Sequence, residues 1–138
     1  MSASATRVDL EIVIPVHNER VALEGGVRRL HGFLTRSFPF SWRILIADGA
    51  STDGTLKDAR RRTYQLDNVE AIRVPAEAPS RAIELLAAKP EARVRFYMDL
   101  EHANSDHRRL PALVAPLVEG PQAAPLTLLS PIDRMLDR

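Results

Sequence analysis

The sequence contains no cysteine, which excludes disulfides, thiolate nucleophiles and cysteine-based metal sites. Neither sign of charge is in excess: nineteen Lys and Arg stand against eighteen Asp and Glu, for a formal net charge of +1. So even a balance supplies no whole-molecule field to hold nucleic acid or an anionic membrane. Aromatic residues make up only 5%, which argues against the stacking platforms of single-strand binders. Nucleic acid is therefore not an expected partner. No apolar run approaches the roughly 20 residues that cross a bilayer. The N-terminus, MSASATRVDLE, is small and polar and lacks the apolar centre of a signal peptide. The expected location is cytoplasmic, at most peripheral at the inner face of the membrane. Lysine is scarce, with only Lys57 and Lys89.

What is present is enough for one folded domain. The 138 residues are 45% hydrophobic and 27% charged, ordinary proportions for a globular chain that buries a core. There is no internal repeat. Short apolar runs alternate with helical patterns. Leu10 to Val16, LEIVIPV, is β-branched and nearly continuous, as in a strand buried on both faces. Leu23, Val27, Leu30 and Leu34 then mark one face of a helix, with Asn18 as its expected N-cap and Pro39 as its end. Gly25 and Gly26 inside it cost roughly 1 kcal/mol each against Ala. Trp42 to Ala47 is a second strand, running into the turn-rich DGASTDGT, and a helix is expected from Thr55 to Leu66. Val69 to Val74 is a third strand. A helix capped by Ser80 and ending before Pro90 follows, then a fourth strand, Val94 to Met98. Leu110, Leu113, Val114 and Leu117 mark a last helix, which Pro116 is expected to kink or shorten.

This β-α-β-α-β-α-β-α order predicts an α/β fold: a parallel sheet with helices on both faces and right-handed crossovers. The expected division is a flexible N-terminus over 1–7, a domain over 8–120 and an irregular tail over 121–138, with an apolar patch at Leu126 to Leu129. Ligands in such sheets sit at the carboxyl ends of the strands. There the sequence places Asp48, Asp53, Asp99 and Glu101. Carboxylates gathered at one edge repel one another, and a divalent cation on a phosphate-bearing ligand relieves that repulsion. Against this stands the plainer reading of solvated loop residues or helix caps, strongest for Asp53 in STDGT.

IVIPVHNE, ADGASTDGT and YMDLE, in that order and at those separations, resemble the nucleotide-sugar-binding half of a family 2 glycosyltransferase of the Rossmann-like GT-A fold. The nearest likeness is to the polyprenyl-phosphate (dolichyl-phosphate-mannose-synthase-like) branch, over roughly residues 8 to 120. The resemblance implies a nucleoside pocket lined by Pro15 to Glu19, with His17 where Tyr is usual and Glu19 as a polar anchor. It implies that Asp48 hydrogen-bonds the base or ribose, that the loop from Ser51 to Thr55, which contains Asp53, shapes the pocket floor, and that Arg81 adds a further contact. Asp99 and Glu101 stand where the family has its Asp-x-Asp pair. The first carboxylate would face the nucleotide-sugar, and the second would bind Mg²⁺ or Mn²⁺, stabilising the leaving diphosphate. The implied acceptor is a polyprenyl phosphate at the membrane surface.

The departures define the rival reading. Glu101 replaces Asp, and Ala78-Pro79-Ser80 replaces a glycine-rich turn. Residues 121–138 do not resemble the start of the acceptor-binding half with which family members continue. No catalytic base stands in a motif, and Asp106 and His107 are the only candidates. A catalytically inactive, truncated relative that binds nucleotide or a partner is thus the second reading. The sheet edge beside the fourth strand is expected to be exposed, and a homodimer or partner chain could cover it. His102, Asp106 and His107 lack a recognised metal-site spacing, His31 reads as structural, and Arg60-Arg61-Arg62 reads as a solvated face.

Overall fold

The apolar run at Leu10 to Val16 becomes the centre of the molecule. A computed structural model of the chain describes residues 8–74, 92–105, 107–119 and 126–129. Within them run β1 (Val8–Val16), α1 (Arg20–Ser37), β2 (Trp42–Gly49), α2 (Thr55–Gln65), β3 (Val69–Val74), β4 (Ala92–Tyr97) and α3 (Leu100–Ser105). A 3-10 turn (His107–Arg109), α4 (Leu110–Glu119) and β5 (Leu126–Leu129) complete the order. The strands form one sheet in the order β3-β2-β1-β4-β5, and every neighbouring pair is parallel. The α/β expectation therefore holds. The helix expected over 80–89, with Arg81, lies outside the described residues.

Side-chain alternation explains why β1 reads as a continuous apolar run. Leu10, Ile12, Ile14 and Val16 pack on one face against Leu23, Val27, Leu30 and Leu34 of α1. Leu100, Ala103, Leu110, Val114 and Val118 of α3 and α4 join the same core. Val13 points the other way, into a second cluster with Leu45, Ala47 and Val74. A strand covered on both faces has no polar side to show.

Glu11 is the exception, and only register explains it. It pairs with Arg43 of β2 on one side and Arg95 of β4 on the other. Its Oε2 accepts from Arg43 Nε at 2.8 Å, and its Oε1 from Arg95 Nε at 2.7 Å. Glu11 is 4% and Arg95 1% exposed. One carboxylate thus clamps three adjacent strands. Burial pushes the nearby Tyr97 hydroxyl up; Arg95 opposes this and Glu11 adds to it.

The structure corrects the sequence reading at four places. Residues 126–129, expected within an irregular tail, form β5, which pairs with Val94–Tyr97. The outer edge of β4 is therefore occupied over those residues and not exposed. Pro116 does not shorten α4, which continues to Glu119. Pro116 and Ala112, whose carbonyl the proline leaves unbonded, both lie on the exposed side, where water can satisfy that oxygen. Finally, α1 begins after Glu19 with no side-chain cap, so Asn18 is not its N-cap.

Candidate functional site

All five strands run the same way, so the loops that follow them collect at one edge. Register sets their levels. Pro15 pairs with Ala47 and Val16 with Asp48. Val13 pairs with Tyr97, and its carbonyl accepts the Met98 N–H at 3.0 Å, which brings Asp99 level with Pro15. The residues read from the sequence at 15–19, 48–55 and 99–101 are thereby brought to one rim. Arg81 and Asp106 lie outside the described residues, and of His107 only the backbone, opening the 3-10 turn, is described.

Reciprocal hydrogen bonds lace the first two loops together. Asn18 N–H donates to Ser51 Oγ at 2.8 Å, and Asn18 Oδ1 accepts from Thr52 N–H at 2.8 Å. Asn18 has φ 50°, a left-handed conformation that Asn tolerates better than most residues. Its side chain is thus spent on the neighbouring loop rather than on α1. His17 Nδ1 lies 2.5 Å from the Gly49 carbonyl. A carbonyl can only accept, so this nitrogen carries a proton, and Nε2 lies 3.4 Å from Asn18 Nδ2. Glu19 Oε1 accepts from His17 N–H at 3.1 Å, while Glu19 N–H donates to Thr55 Oγ1 at 3.1 Å. Asn18, Ser51 and Thr55 tie this rim together; the resemblance placed them in the pocket-lining segments, but the bonds that join the two loops were not foreseen. The signal available was the density of Ser, Thr and Asn in HNE and DGASTDGT.

The carboxylates divide into two kinds. Asp48 is fully buried; its Oδ2 accepts from Ser51 N–H at 3.1 Å and its Oδ1 from Ser51 Oγ at 2.5 Å. Asp53 is exposed, but it too faces its own loop. Its Oδ1 accepts from the Thr55 hydroxyl and, at 3.0 Å, from Thr55 N–H; its Oδ2 accepts from Arg20 N–H at 3.5 Å. The Thr55 hydroxyl above all holds its carboxyl below the usual range, against the opposing effect of desolvation. Gly54 stands in the left-handed N-cap position of α2 with no side chain to offer, and Asp53 supplies the missing acceptor. For Asp53 this is the cap-and-turn reading.

Asp99 and Glu101 are of the second kind: both are exposed. The Asp99 carbonyl accepts the Ala103 N–H at 2.9 Å and so starts α3, while Glu101 sits in its first turn. Gly26 fixes where that helix lies. A Cβ at Gly26 would come within 3.2 Å of Leu100 Cδ2 and 3.3 Å of the Leu100 carbonyl oxygen. The glycine therefore lets α1 approach the residue between the two acids. Among the described residues no three His, Cys, Asp or Glu side chains are grouped to hold a metal. Two exposed carboxylates are nonetheless suitable donors for Mg²⁺ or Mn²⁺ drawing its other ligands from a diphosphate and water.

The model of the family described as Glycosyl transferase family 2 matches residues 11–130. The chain belongs to that family. Its parallel sheet flanked by helices is consistent with the Rossmann-like GT-A architecture of a family 2 glycosyltransferase. The chain is also 39% identical over 91 residues to the Succinoglycan biosynthesis protein ExoA of Rhizobium meliloti (strain 1021). That alignment takes in 62% of this chain and 26% of the relative, so the chain spans about a quarter of that relative's length.

Proposed function

We propose that this family 2 chain forms the donor half of a sugar transferase. It would bind a nucleoside diphosphate sugar at the rim of the sheet, for transfer to an acceptor such as a polyprenyl phosphate. The observation that carries this reading is the convergence of the β1, β2 and β4 loops at one edge, in a chain matched to the family over 11–130. In this reading Pro15, His17 and Glu19 line the nucleoside side of the site. The Ser51–Asp48 pair keeps the β2 loop in one shape, and the Asp53–Thr55 pair fixes the start of α2. Asp99 faces the diphosphate, and Asp99 and Glu101 would hold Mg²⁺ or Mn²⁺, whose charge stabilises the leaving diphosphate when it is bound. Transfer also needs an acceptor and a group to take its proton; Asp106 and His107 are the candidates this chain offers.

A second reading, binding without turnover, is favoured by Glu101 in place of the second Asp of the pair and by Ala78-Pro79-Ser80 in place of a glycine-rich turn. Titration calorimetry with UDP and GDP, with and without Mn²⁺, tests the donor site. Saturable, metal-dependent binding is expected, reduced at least about tenfold in Asp99→Ala, the scale of one lost charge-assisted contact. Unchanged affinity in that variant would remove the metal assignment. Donor hydrolysis by the wild-type chain that stops in Asp99→Ala would eliminate the second reading.

A further inference from the structure

The charge that is balanced over the whole chain is not balanced over its surface. α1 and α2 cover neighbouring parts of one sheet face and are joined by ion pairs from Arg20 to Asp58 and from Arg62 to Glu24. Together they carry eight basic side chains, Arg20, Arg28, Arg29 and Arg36 on α1 and Lys57, Arg60, Arg61 and Arg62 on α2. Against these stand two acids, Glu24 and Asp58. The surplus is six, in a chain whose formal net charge is +1.

The two acids are already shared. Glu24 Oε1 takes Arg28 at 2.7 Å and Arg62 at 3.3 Å; Asp58 takes Arg20 at 2.8 Å and Arg61 at 3.9 Å. The neighbouring carboxylates Glu19 and Asp53 lie at the N-terminal ends of the helices, bonded within the rim, and exposed Asp67 lies beyond the C-terminal end of α2. On α1, Val21, Gly25, Arg28, Gly32 and Arg36 recur at helical spacing along the outward side. Val21 is 96% exposed, an isolated apolar side chain on a basic stripe.

We propose that the outward face of α1 and α2 docks on an anionic phospholipid surface. Charge complementarity selects an anionic partner. The exposed valine and the low share of aromatic residues, 5% of the sequence, favour a bilayer over a nucleic acid, which calls for stacking or groove-reading groups. Long arginine side chains suit this role, since their stems lie along the surface while the guanidinium reaches phosphates. The interaction is electrostatic and is therefore screened by salt. This inference does not depend on the donor site.

The test is co-sedimentation of the full chain with phosphatidylglycerol-containing vesicles and with pure phosphatidylcholine vesicles, at low and at about 0.5 M salt. Binding to the anionic vesicles only, abolished by salt, is expected. The variant Lys57→Gln/Arg60→Gln/Arg61→Gln should bind on the order of tenfold or more weakly, since each basic residue near a charged bilayer contributes separately. Its circular dichroism and its UDP and GDP titrations should match those of the wild type. Equal binding to both vesicle types, or full retention of binding in the folded triple variant, would overturn the proposal. So would a single-stranded oligonucleotide that displaces the vesicles at lower concentration.

Discussion

Two adjacent glycines of α1 have opposite reasons for being there. A Cβ at Gly25 would meet nothing within 4 Å, so only the backbone entropy of glycine acts at that position. Gly25→Ala is expected to stabilise the fold by about 0.5–1 kcal/mol. At Gly26 the new methyl group would press on the Leu100 carbonyl and side chain, and a backbone oxygen yields less readily than a flexible side chain. Gly26→Ala is expected to cost about 1–3 kcal/mol and to push α3 outward. Because Leu100 lies between Asp99 and Glu101, the same variant should weaken metal-dependent nucleotide binding, whereas Gly25→Ala leaves it alone. Thermal melts and titration calorimetry on the pair check both statements; equal behaviour of the two variants would show that the close approach is unimportant. Ala50, with φ 55°, is a residue without the freedom of glycine in a left-handed turn, another strain stored at this rim.

At the scale of elements, the strands were legible because burial on two faces leaves a run of apolar, β-branched residues that no loop imitates. Residues facing each other across strands were not. Glu11, Arg43 and Arg95 are 32 and 84 positions apart in the bonds they make, and each alone reads as a polar interruption. β5 was hidden for another reason: its four residues, LTLL, are too few to show a period. The rim was half legible. Its acids stood out, but their partners Asn18, Ser51 and Thr55 are ordinary turn formers until the loops meet. The triad makes a sharp prediction. Glu11→Ala leaves two guanidiniums, one of them 1% exposed, without their shared carboxylate. The expected cost is about 3–5 kcal/mol, because an uncompensated buried charge is far worse than no charge. Replacing all three together, as Glu11→Leu/Arg43→Leu/Arg95→Met, should restore much of that loss, since well-packed apolar groups can substitute for a buried ion cluster. Chemical denaturation of both variants decides it. A triple variant no more stable than Glu11→Ala would mean that the arginines contribute packing that Leu and Met cannot replace.

For the whole molecule, the two ends of the sheet are protected differently. β3 presents Glu70 and Arg73, both exposed, and charged side chains on an edge strand discourage pairing with another chain. β4 is less charged on its outside: Arg95 is consumed by the triad, Phe96 is 1% exposed, and Arg93 is drawn toward Asp9 at 3.8 Å. Its edge is protected by pairing, with Val94 to Tyr97 matched to Leu126 to Leu129. A chain ended after Glu119 would therefore uncover a row of backbone donors and acceptors along β4. It is expected to melt at lower temperature and to associate with increasing concentration, through edge-to-edge pairing at β4. A milder pair of variants, Thr127→Pro and Leu128→Pro, tests the same ladder: alternate N–H groups of an edge strand face its neighbour, so one of the two should move both properties in the same direction by less. Sedimentation equilibrium and thermal melts over a concentration series measure both. Monomeric mass and unchanged melting in the shortened chain would show that β4 needs no cover. Association that depends on concentration would show that closing this edge is what β5 contributes to the fold.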